Sequence, residues 1–265
     1  MKTLTCLVLA GSLFSPLAMA DDCRYSREIN FDVALQEIAR LTIDVGAGEL
    51  IVTGASQSDM ISVRAVACAD SQNKLDDLDL TQDRRGDRLE ITSDTDDSDW
   101  GSVNWFGSTY AYIDVNIAIP AGLVIDIDDG SGDLSVMNVS GDFSIDDGSG
   151  GIEITRVTGD VQINDGSGDV RVEEVTGSVR LEDGSGDLEL SSISADVHVL
   201  GDGSGDIRIA TVGGNVTVDD DGSGDIRVRE VIGSFETGGT GSGDVDYSGA
   251  EGRVEGRVEG RVDVR

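Results

Sequence analysis

A five-residue phrase, Asp129-Gly-Ser-Gly-Asp133, returns as Asp147-Gly-Ser-Gly-Gly151, then from Asp165, Asp183, Asp202 and Asp221 and, as Thr240 to Asp244, a last time, at spacings of 18, 18, 18, 19, 19 and 19 residues. A fixed period of this length is the mark of stacked structural units, and it restricts the fold more than any other feature of the chain. Midway between these turns lies a looser one, seen at Ser140-Gly-Asp142, Thr158-Gly-Asp160, Thr176-Gly-Ser178, Ser194-Ala-Asp196, Gly213-Gly-Asn215 and Ile232-Gly-Ser234. Each half-repeat therefore reads as a turn followed by apolar-x-apolar, as in Leu134-Ser-Val136, Phe143-Ser-Ile145 and Ile152-Glu-Ile154. A period of two with β-branched residues predicts a short strand.

A meander of hairpins would also alternate strands and turns, but it would not make a given position of one repeat resemble the same position of the next. Stacking does. In a parallel β-solenoid, each 18–19-residue coil lays two short strands on those of the preceding coil, about 4.8 Å away. Five apolar columns result, beginning at Leu134, Val136, Val139, Phe143 and Ile145. A single coil has almost no interior, so these side chains are buried only by neighbouring coils. The outward position between the first two columns reads Ser135, Glu153, Arg171, Glu189, Arg208 and Arg227, so opposite charges mostly meet between coils, which supports in-register stacking.

Residues 121–249 form this repeat domain, and residues 21–120 are less regular. Val45-Gly-Ala-Gly-Glu49-Leu50-Ile51-Val52 copies the turn-and-strand pattern and is read as a degenerate first coil. Strands are predicted at Ile61–Ala67, Leu78–Thr81, Leu89–Ser93 and Tyr112–Ile119. An open solenoid end exposes strand edges, and this segment is the expected cap. Residues 250–265, with the period Glu251-Gly-Arg-Val254, read as a low-complexity tail, with a charged terminal strand as the structural alternative.

Residues 1–20 have the order of a secretory signal peptide: Lys2, an apolar run from Leu4 to Leu17, then Ala18-Met19-Ala20. The expected product is periplasmic or secreted, with no membrane span in the mature chain. Its remaining cysteines, Cys23 and Cys68, are an even pair in an exported chain, which favours one disulfide over a metal or catalytic site. With 52 Asp and Glu against 19 Lys and Arg, the formal charge is −33, and loss of the leader with Lys2 makes it one unit more negative. Nucleic acid is excluded as a partner on this balance, since phosphate binding needs a clustered basic face.

The aspartates of the repeated turn form two columns, Asp129, Asp147, Asp165, Asp183, Asp202, Asp221 and, beside it, Asp133, Asp169, Asp187, Asp206, Asp225, Asp244. Both are read as surface ladders, in which neighbours about 4.8 Å apart repel by about 0.9 kcal/mol in water and about 3.5 kcal/mol at an effective dielectric of 20. Two readings answer that repulsion. Each Asp caps its own turn by accepting backbone N–H groups, or the columns hold Ca2+, which accepts carboxylate and backbone oxygens in flexible geometry. Glycine-rich calcium-binding nonapeptide rolls place Asp two residues after the glycine, whereas Asp133 directly follows Gly132.

His198, between Val197 and Val199, is expected to point into solvent. The acid pairs Glu173-Glu174 and Asp219-Asp220-Asp221 suit a carbohydrate-active enzyme on a β-helix, the alternative functional class. Such an enzyme needs a cleft built by long loops, and coils that vary by one residue supply none. Trp100, Trp105, Phe106, Tyr110 and Tyr112 gather in one acidic segment, Asp94–Tyr112, where they either plug the solenoid end or anchor a partner.

Val124-Ile-Asp-Ile-Asp-Asp-Gly-Ser-Gly-Asp-Leu-Ser-Val136, its successors, and Ile43-Asp-Val-Gly-Ala-Gly-Glu-Leu-Ile-Val52 resemble the bacterial β-strand-repeat family of unknown function often labelled "putative adhesin". The likeness spans roughly Leu41 to Gly249. It implies an all-β solenoid and an envelope binding or scaffold role, with a cell-envelope protein or glycan as partner, and it brings no catalytic residues.

Overall fold

The computed structural model describes residues 23–95, 110–248, 251–254 and 262–264. Within the repeats, each half-repeat is one strand. Phe143–Asp147, Val161–Asp165 and Val179–Asp183 enter one sheet, while Ile152–Val157, Val170–Val175 and Leu188–Ile193 enter the other. Pairing is parallel and in register, for example Leu134 with Ile152, Ile152 with Val170, and Val170 with Leu188. Period-two alternation turns every second side chain inward. The five apolar columns accordingly meet between the sheets as one continuous core. Among the described residues the sheets contain 12 and 11 strands. Inside the tail, Glu251–Val254 and Val262–Val264 add one parallel strand to each sheet.

The glycines of the turn permit coils to approach closely. At Gly168, φ is +146°, and a Cβ there would lie 1.6 Å from the carbonyl oxygen of Gly150 in the preceding coil. A second feature lies two residues before the looser turn, where Asn138, Arg156, Glu174, Ser192, Thr211 and Glu230 all adopt left-handed backbone, with φ between 55° and 58°. The step from 18 to 19 residues is a single bulge. Leu181 pairs with Val199 but Glu182 pairs with Gly201, leaving Leu200 as the extra residue. Later coils keep that extra residue and pair without a further shift.

Arg40–Ala47 and Leu50–Gly54 form the expected first coil, stacked in parallel on Val124–Ser131 and Leu134–Met137. Chain order and stacking order part at this point. The strands Arg88–Thr95 and Ala111–Ile119 lie outside that coil, one in each sheet and also parallel to it. Antiparallel strands then finish the end: Leu78–Arg85 on one sheet, Met60–Ala69 and Tyr25–Ala34 on the other. The strand Tyr25–Ala34 and the helix Gln72–Asp77, which buries Leu75, are additions to the sequence reading. Among the described residues, no helix is long and apolar enough to cross a membrane.

Candidate functional site

The two aspartate columns are not neighbours on one surface. Inward positions in the strand Phe143–Asp147 are Phe143, Ile145 and, by the same alternation, Asp147. The first column therefore continues into the core: Asp129, Asp147, Asp165, Asp183, Asp202 and Asp221 are only 1–4% exposed. This corrects the reading of both columns as surface ladders. The signal was present in the parity of the strand, since each of these aspartates follows a core residue by two positions, until the 19-residue coils insert one more.

Own-turn capping holds for four of the six members of this column. Oδ1 of Asp147, Asp165, Asp183 and Asp202 accepts the backbone N–H of Ser149, Ser167, Ser185 and Ser204, at 3.3, 3.1, 3.1 and 3.1 Å. The second oxygen, Oδ2, is buried without a hydrogen-bond partner in each of the four; in Asp129 and Asp221 both oxygens are. Burial, followed by the charge of a neighbouring member, pushes Asp129, Asp165 and Asp221 up to about 7. Burial pushes Asp183 and Asp202 up to about 6, opposed by the Ser185 and Ser204 N–H groups, and it raises Asp147 as well.

The second column is outside and caps the next coil rather than its own. Oδ1 of Asp133 accepts from the N–H of Gly151 at 3.1 Å, that of Asp169 from Asp187 at 2.9 Å, and that of Asp187 from Asp206 at 2.9 Å. Asp206 and Asp225 continue the pattern toward Asp225 and Asp244. Arg208 bridges Asp187 and Asp206, and Arg227 bridges Asp206 and Asp225, which offsets part of the like-charge repulsion. The Asp206 N–H and then Arg208 hold Asp187 below the usual carboxylate range. The looser turn carries a third ladder of the same kind, in which Asp142 and Asp160 accept from the N–H groups of Asp160 and Ser178. Among the described residues, no three His, Cys, Asp or Glu side chains converge as a metal ion would require.

His198 is tied into a chain across three coils, with Nδ1 2.8 Å from Arg180 and Nε2 2.8 Å from Asp219. The Sγ atoms of Cys23 and Cys68 are 2.04 Å apart, a pairing that would join the two outermost strands of one sheet. Trp100, Trp105 and Phe106 lie outside the described residues. Tyr110 is described: its hydroxyl accepts the Arg24 N–H at 3.1 Å, and its ring lies 6.1 Å from that of Tyr112. These two tyrosines border a shallow recess with Gly48, Glu49, Asp114 and Asp133. Residues 96–110 connect the two strands of an end coil, the place in chain order that Gly-Ser-Gly holds in the repeats.

Such a fold and such turn ladders define a class of two-sheet parallel β-solenoids held together by stacked turns. The Toastrack DUF4097 family model matches residues 38–257, and the chain belongs to that family. No curated protein matches it. Among solved structures, it is similar to an adhesin termed "putative" from Parabacteroides distasonis, at 14% identity and a TM-score of 0.54 over 90% of this chain and 97% of the other. A "putative lipid binding protein" from the same species gives 16%, 0.52, 91% and 96%. A "putative adhesin" from Bacteroides fragilis gives 15%, 0.50, 90% and 97%. At these identities the likeness is one of fold.

Proposed function

We propose that the protein is an exported, non-catalytic β-solenoid that binds a cell-envelope protein or glycan, or acts as a scaffold for one. The observation that carries this reading is the contrast between the repeat coils, closed by short turns of nearly constant length, and the end coil, whose strands are joined by the fifteen residues 96–110. Among the described residues, turns of this uniform length supply no long loops to wall a cleft for turnover. The segment Asp94–Tyr112 gathers Trp100, Trp105, Phe106, Tyr110 and Tyr112, residue types that dominate binding interfaces. Adhesin-type names among the fold neighbours agree with a binding role. Export through the leader, followed by a Cys23–Cys68 bond, completes the reading.

The test uses the mature chain and its Trp105→Ala variant as bait against solubilised envelope proteins, envelope glycans and lipid vesicles. Vesicles are included because one neighbour is named a lipid-binding protein. Retention of a glycan or protein by the parent and its loss in the folded variant supports the proposal. Turnover of an envelope polysaccharide by the parent would replace it with the carbohydrate-active alternative.

A further inference from the structure

An interior column of acids is a costly thing to build. Apolar solvent-free surroundings disfavour an unpaired carboxylate strongly, and six of them stack one above another here. Register pairing places Asp129 beside Asp147, Asp147 beside Asp165, Asp165 beside Asp183, Asp183 beside Asp202 and Asp202 beside Asp221. Neighbouring backbones in such a ladder are about 4.8 Å apart, so successive carboxyl groups share one narrow channel of the core. The column is closed by Val45 at one end, paired with Asp129, and by the position of Thr240 at the other. Thr240 is fully buried, and its hydroxyl also lacks a partner.

Three neutralising devices are open to such a column: a paired cation, a bound metal ion or a proton. The charges acting most strongly on it are its own members and Asp128, Asp133, Asp146, Asp169, Asp187, Asp206 and Asp220, all negative. A metal ion such as calcium requires six to eight oxygens. Asp147, Asp165, Asp183 and Asp202 each offer one free Oδ2, their Oδ1 being committed to the Ser N–H, and Asp129 and Asp221 offer two oxygens each. The carbonyl oxygens of the first five members accept from Gly148, Gly166, Gly184, Gly203 and Gly222 of the following coils, so no coil approaches that number. A proton needs only one oxygen and one acceptor nearby, and the neighbouring Oδ2 supplies the acceptor.

We propose that the buried column Asp129-Asp147-Asp165-Asp183-Asp202-Asp221 is a proton-binding file, in which carboxyl groups are held as neutral acids whose O–H groups point along the solenoid to the next carboxyl oxygen. No bond other than O–H is made or broken; the protons come from water when the chain folds. The upward shifts to about 6 and about 7 agree with this geometry, against the ordinary value of 3.8. Because the folded values lie above the unfolded ones, the folded state holds more protons between about pH 4 and pH 7. Stability from the file is complete below pH 4 and is lost as pH rises through the folded values.

The experiment uses the mature chain at high salt, where repulsion among the exposed acids is screened. Proton exchange is followed while the chain refolds from denaturant in weakly buffered solution near pH 6, and the unfolding midpoint is followed from pH 5 to pH 8. Expected are uptake of several protons per chain on folding, a midpoint that falls across the range, and an infrared band of protonated carboxylic acid that persists near pH 6. Asp165→Asn with Asp183→Asn keeps the Ser N–H acceptors, and it should raise the midpoint at pH 8 and reduce proton uptake. Glu182→Gln, on the exposed side of the same strand, should leave the uptake unchanged. Folding without proton uptake, or a midpoint that rises with pH, would overturn the proposal. So would a midpoint set by one particular metal ion in place of pH. If the Asn pair does not fold, proton uptake and the infrared band of the parent chain decide the question.

Discussion

The array and the cap are made of the same strands and solve the same problem by opposite means. In the array, every coil is the template for the next, and a position is defined by what stands above and below it. In the outer cap, strands reverse direction, as in Met60–Ala69 against Ala111–Ile119, and the stacked equivalence of one coil with the next ends there. The comparison teaches that parallel in-register stacking turns a local requirement into a sequence period, whereas an end must be written once. It also separates two kinds of fragility. A fault in the array is a fault in packing backbone on backbone; a fault in the cap releases an edge.

The sharpest test of that difference is one glycine from each region. Gly168→Ala should destabilise the chain by at least about 3 kcal/mol, since the added methyl meets a carbonyl that has nowhere to move. Gly86→Ala, in the hairpin of the cap at φ +68° with open space around it, should cost about 1 kcal/mol from backbone conformation alone. Equal denaturation midpoints for the two variants would break the comparison.

Next in size is the cysteine pair. Intact mass after alkylation should show Cys23 and Cys68 unmodified until reductant is added. Cys23→Ser with Cys68→Ser should then cost about 2–4 kcal/mol. Hydrogen exchange should locate the loss in Tyr25–Ala34 and Met60–Ala69 while the array stays protected, because each coil contacts only its neighbours. Uniform loss of protection would show that cap and array unfold as one unit.

The smallest effect lies two residues before the looser turn. Thr211 is β-branched and holds φ at 58°, a region that asparagine adopts far more readily. Thr211→Asn should stabilise the array by about 0.5–1 kcal/mol, read as a higher thermal midpoint. A fall would mean that the Thr211 hydroxyl bond to Glu230, at 3.0 Å, outweighs the backbone preference.

How legible each part was follows from the same contrast. The five core columns and the first coil were readable because stacked positions repeat. The strands of the cap were readable where alternation was clean, as in Ala111–Ile119. Tyr25–Ala34 was not, since Arg27 interrupts its one half-buried face and the other side carries Ser26, Glu28, Asn30 and Asp32. The helix Gln72–Asp77 has six residues and no side-chain cap, too short for a helical period to show. Nothing in the sequence announced that Arg40–Gly54 would stack between strands that come later in the chain. In the candidate site, the identity of the aspartates was plain and the second column is exposed as expected, whereas the inward direction of the first is written in strand parity and not in acid composition.

The bulge at Leu181 has a consequence for how this molecule can change its length. One junction absorbs the mismatch between short and long coils, and on either side of it neighbours fit without adjustment. Any insertion or excision of a whole coil within one side leaves every seam matched, whereas a part-coil change creates a second misfit. The natural quantum of variation is thus the complete turn of the solenoid, and the long axis of the protein is a ruler graduated in steps of one turn.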